Sequence, residues 1–143
     1  MTNLDFAKAA NLVSRLLEGY LSAAAVQSAV QESMEELFEM LGELGKEVES
    51  YELAVSERLA ARKKFTLAEG FALVAASQMA TAVQDFYAGR REAIEMVELA
   101  ERQDADVEEA TQHANAYMNE IRQQLYHRCW EFRVASNVED SVE

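Results

Sequence analysis

The chain has 143 residues, half of them apolar, with 26 acidic against 13 basic side chains, a net charge of −13, no proline and one cysteine. Such a length and apolar content suit one ordinary domain that buries roughly 70% of its unfolded surface, and they exclude an intrinsically disordered chain. The acidity argues against direct binding of nucleic acid or of an anionic membrane, and a lone Cys129 excludes an internal disulfide or a cysteine-based zinc site.

Ala, Glu, Leu, Met, Gln and Arg are good helix formers, and they dominate a chain without its main breaker, so the expected fold class is all-α. A first helix is expected over about 4–18, with Thr2 and Asp5 near its start and Phe6, Ala9, Leu12, Val13, Leu16, Leu17 and Tyr20 at helical spacing. The second, over about 23–64, carries Met34, Leu37, Leu41, Leu44, Val48, Tyr51 and Val55 in steps of three and four, a coiled-coil-like seam. Gly42 and Gly45 fall within this segment. They mark a break, a bend or the close approach of another helix, and an unbroken rod of this length would imply pairing with a second copy.

Thr66 and Glu69 form a T-x-x-E capping box that opens a third helix over about 67–102. Its expected buried stripe is Leu67, Phe71, Val74, Ala75, Met79, Val83, Phe86 and Tyr87, and its many Ala and Gly residues let a neighbour come close. Asp106 is the expected N-cap of a last helix over about 106–134, with Val107, Ala110, Ala114, Tyr117, Ile121, Leu125, Cys129 and Phe132 inward. Residues 136–143 read as a polar tail after a single helical domain over 1–135. The short turns make the long helices antiparallel neighbours in a bundle.

Charge is distributed unevenly along these elements. Residues 32–57 hold nine acids and one base, and residues 92–109 hold eight acids and one base. Between them Arg58, Arg62, Lys63 and Lys64 form a basic knot. Glu35, Glu39, Glu43 and Glu47 are four apart, so three like-charge repulsions of about 0.2–0.5 kcal/mol each act along one helix. Seam residues worth ~1.5–3 kcal/mol apiece outweigh them. Folding at residues 65–66 sets residue i level with about 131 − i, which places Glu92 near Glu39 and gathers both clusters at one end. Glu35, Glu39, Glu43, Glu47, Glu92, Glu95 and Glu98 are therefore the expected partner-binding face, with the basic knot at the opposite end.

Glu35-Glu36-Leu37-Phe38-Glu39 resembles the E-E-x-x-E half-motif of all-α nucleotide pyrophosphohydrolases of the MazG type, which implies a magnesium site completed by an E-x-x-D on a nearby helix. The only later E-x-x-D is Glu101 to Asp104, far beyond that family's gap and at an expected helix end, so the resemblance assigns no site residues. His113 and His127 lie about four turns apart, too far to share a metal. Cys129 and His127 point to different sides of a helix and make no nucleophile pair; Cys129 and Trp130 are expected in the core. No phosphate-cradling glycine motif occurs. No catalytic, cofactor or metal residue is assigned.

The expected function is non-catalytic: an acidic adaptor, chaperone or inhibitor that binds a basic surface of a partner protein, one form of it competing with nucleic acid. Two other classes remain open, a magnesium-dependent pyrophosphohydrolase-like enzyme and a purely structural helical homo-oligomer such as a homodimer. With no leader-like start and no apolar run of membrane length, a cytoplasmic location is expected.

Overall fold

The computed structural model describes residues 4–22 and 35–141, the side chains of 137–141 excepted. Helix α1 spans Ala7–Arg15 and widens into a π-helical turn over Leu16–Tyr20, closed by the Leu21 N–H donating to the Leu16 carbonyl at 3.0 Å. The wide turn has a packing reason. Leu16 and Leu21 are both buried, and residues five apart share a face only when the turn takes an extra residue. The helix starts later than expected because the Asp5 carboxylate accepts the Ala7 N–H at 3.0 Å and holds the entry outside the helix; Thr2 lies outside the described residues.

Helix α2 spans Glu35–Ala60, α3 Leu67–Arg102 and α4 Val107–Ser141. Residues 23–34, Met34 among them, lie outside the described residues, so the expected start of the second helix is not addressed. From Glu35 the helix is continuous through Gly42 and Gly45. It ends four residues before the expected boundary. Arg62 takes a left-handed conformation at φ 58°, the Arg62 N–H donates to the Leu59 carbonyl at 3.1 Å, and the Lys63 N–H donates to Arg58 at 2.9 Å. That is a Schellman-type close with arginine in the position glycine usually fills. The end of α3 repeats it with Asp104 at φ 52°, where the Ala105 N–H donates to the Ala100 carbonyl at 2.9 Å.

The Glu109 N–H donates to Asp106 at 3.1 Å, the expected cap of α4. That helix outruns its expected end. The inner stripe continues past Phe132 to the buried Ser136, whose hydroxyl is satisfied by the Phe132 carbonyl at 2.8 Å, so the backbone stays helical to Ser141 through most of the expected tail.

The four segments form an antiparallel all-α bundle. Lys8 meets Glu47 across α1 and α2, Phe38 meets Phe86 across α2 and α3, and Tyr117 meets Glu92 across α3 and α4. The seam of α2 is buried as its spacing requires, from Leu37, Leu41 and Leu44 to Val48 and Tyr51, with Val55 half-buried. On α3 the expected stripe is partly wrong. Leu67, Phe71 and Val74 are 77%, 58% and 58% exposed. Ala75, Met79, Val83 and Phe86 are buried as expected, and Ala72, Ala76, Ala82, Gly89 and Ala93 complete the buried face, because α4 packs down on the small residues. A Cβ added at Gly89 would lie 2.0 Å from Ile121 Cδ1. On α4, Met118 joins the core, while Val107 is exposed and Tyr117 half-buried. Cys129 is fully buried as expected, whereas the next residue, Trp130, is turned about 100° away and is 52% exposed. Both His113 and His127 are exposed.

Three stretches of chain meet at Glu69. Its carboxylate closes the capping box by accepting the Thr66 N–H at 3.1 Å, while the Thr66 hydroxyl accepts the Glu69 N–H. It also takes Arg58 at 2.7 Å and the Leu4 N–H at 3.4 Å. The Arg58 guanidinium lies 5.5 Å from the Phe65 ring centroid. Arg58 is thus buried and paired, and the surface knot consists of Arg62, Lys63 and Lys64.

Candidate acidic interaction face

The glutamate row on α2 winds around the helix, as residues four apart must when a turn takes 3.6. Glu35, Glu39 and Glu43 are exposed. The row ends at Glu47, which faces α1, is half-buried and pairs with Lys8 at 3.1 Å. Glu36, beside the row, accepts the Tyr20 hydroxyl. Glu35, Glu39 and Glu43 make no ion pair among the described residues, so their charge is presented to solvent.

The second cluster lies on the far half of α3. Glu92 accepts the Tyr117 hydroxyl at 2.6 Å, while Glu95 and Glu98 are exposed. The carboxylates that accept these bonds raise the pKa of the Tyr20 and Tyr117 hydroxyls, so both phenols stay protonated donors beside the acids. Arg90 lies 4.8 Å above the Phe38 ring, and the Tyr87 hydroxyl donates to the Phe38 carbonyl at 2.9 Å. These contacts fix the level of the two helices. From Phe38 against Phe86 and Arg58 against Glu69, residue i of α2 lies level with about 125 − i, not 131 − i. Glu39 is therefore level with Phe86. Glu92, Glu95 and Glu98 lie beyond the start of α2, at the same end of the bundle as Glu35 but not beside Glu39.

The structure brings Glu35, Glu39 and Glu43 into one exposed band and sets Glu92, Glu95 and Glu98 beyond it. It separates Glu47, which Lys8 neutralises. Sequence reasoning missed Lys8 because a residue 39 positions away carries no local signal. It also missed Tyr20 and Tyr117, which anchor one acid of each cluster.

Among the described residues no group of three or more His, Cys, Asp or Glu side chains is arranged to hold a metal ion. The residues of the E-E-x-x-E stretch point to different sides: Glu35 and Glu39 outward, Glu36 toward Tyr20. An open cleft of about 430 Å³ between α1 and α2 is lined by both charges, Lys8, Arg58 and Lys63 against Asp5, Glu47 and Glu57. The Tyr51 hydroxyl is buried beside it with no hydrogen-bond partner among the described residues, and burial together with the Glu47 and Asp5 carboxylates pushes its pKa upward. Among the described residues no helix is long and apolar enough to cross a membrane.

No protein-family model, curated protein or solved structure matches the chain.

Proposed function

We propose that the protein is a non-catalytic interaction module whose acidic end docks on a basic surface of a partner protein, as an adaptor, chaperone or inhibitor does. The observation that carries this reading is the exposed band of Glu35, Glu39 and Glu43, without an ion pair among the described residues and set at the same end as Glu95 and Glu98. Like charges held on a rigid helix are costly to the fold and useful to a partner that neutralises them. The field reaches about 8 Å at physiological ionic strength, enough to steer a basic protein and to compete with nucleic acid for the same basic groove.

The test is affinity capture from the native host at low and high salt, beside a Glu39→Lys/Glu43→Lys/Glu95→Lys variant. The expected result is a basic protein retained by the natural chain, released by salt, absent from the variant and displaced by DNA or RNA. Equal retention by both chains, or retention insensitive to salt, would defeat the reading.

A further inference from the structure

Helix α2 is continuous, but its two parts are held in different ways. Over residues 37–51 it buries Leu37, Met40, Leu41, Leu44, Val48 and Tyr51 in the core. Over residues 52–60 its one buried side chain is Arg58, a charged group. Ala54 and Val55 are half-buried there, while Leu53 and Leu59 are 64% and 62% exposed. A well-packed helix leaves few voids beside it, yet these turns are undercut on two sides. The cleft toward α1 reaches Ala54, Glu57 and Ala61. A groove of about 330 Å³ toward α3 separates Val55 and Ser56 from Leu73, Ala76 and Ser77.

Arg58 is what ties these turns to the rest of the bundle, through Glu69 at 2.7 Å and the Phe65 ring beneath its guanidinium. The close that follows works against them. Arg62 is a side-chain-bearing residue in the left-handed region, at φ 58°, where its Cβ crowds the following carbonyl. Few buried apolar contacts, a charged anchor and a strained end put a segment at the low-stability end of a fold.

We infer that residues 52–61 form a strap that opens as one unit, by release of Arg58 from Glu69, while the rest of the bundle stays folded. Tyr51 lines both hollows, so opening joins them into one trough over Leu73 and Ala76. It also bares the Glu69 carboxylate, which Arg58 covers in the closed state. The strap lies at the end of α2 away from the acidic band and does not depend on what that band binds.

Amide hydrogen exchange of the full chain at neutral pH, followed residue by residue by NMR in rising but sub-denaturing urea, tests it. Amides 56–61 are expected to exchange at one common level, at least about tenfold faster than amides 40–50. Their rates should barely respond to urea, because a local opening exposes little surface. Leu44→Ala should speed amides 40–50, which open only with the core, and leave 56–61 as they were. Glu69→Gln should speed 56–61 at least about tenfold, since it removes the charge that holds Arg58. If Leu44→Ala fails to fold, the urea series on the natural chain decides alone. The inference is overturned if amides 56–61 track 40–50 in rate and urea response, if their rates fall off evenly from the helix end as simple fraying gives, or if Glu69→Gln leaves them unchanged.

Discussion

Glu69 illustrates how one side chain joins elements that are remote in sequence. Thr66 and Glu69 are legible as a capping box because the pattern is local. Arg58 is not, since its burial needs the Phe65 ring beneath it and the start of the chain against its partner carboxylate. Burial alone would raise the Glu69 carboxyl, but the Thr66 N–H, Arg58 and the Leu4 N–H outweigh it and hold the pKa below the usual 4.5. A carboxylate with a depressed native pKa contributes stability that is fully present above its unfolded value and lost as pH falls through the native one. Urea midpoints measured from pH 6 down to 3 should therefore show the natural chain losing stability relative to an Arg58→Met/Glu69→Leu double variant as the pH falls below about 4.5. Either single truncation, Arg58→Ala or Glu69→Ala, should cost about 3–5 kcal/mol, because it strands a buried charge. The double variant should recover much of that loss.

Among the helices, glycine separates two kinds of position that look alike in sequence. Gly45 has nothing near its missing side chain, so Gly45→Ala should raise stability by about 0.5–1 kcal/mol through helix propensity alone. Gly89 lies against Ile121 on α4, so Gly89→Leu should separate α3 from α4 and cost about 1–3 kcal/mol. Thermal or urea unfolding of the two variants distinguishes the cases. The seam of α2 was legible because Leu and Val recur without rivals for the inner side. On α3 the bulky Leu67, Phe71 and Val74 competed with an alanine stripe, and periodicity weighted by size chose the bulky set. What decided the face was the close approach of α4, which only small residues permit and which no single-helix pattern contains. The ends of α2 and α3 were obscured for a different reason. Arg62 and Asp104 stand where the usual stop signal is glycine, so the left-handed residue had no marker.

At the scale of the whole molecule, a net charge of −13 is concentrated rather than spread. Mutual repulsion at the acidic end destabilises the bundle and weakens as salt screens it. The melting temperature should rise by about 2–5 °C between low and physiological ionic strength, and Glu39→Gln/Glu43→Gln should gain part of that rise and flatten the salt response. The gathering of the acids at one end was legible because short turns impose antiparallel order. The relative level of α2 and α3 was not, because aromatic contacts such as Phe38 with Phe86 and Tyr87 set it, and these depend on ring packing across the interface.

The single thiol adds an experimental handle. Cys129 is wholly enclosed by the bundle, and burial pushes its pKa up to about 12. A thiolate is what reacts with a disulfide reagent, so the native protein should be silent toward one. The slow appearance of colour with such a reagent would then clock the spontaneous opening of the bundle, with no label to introduce.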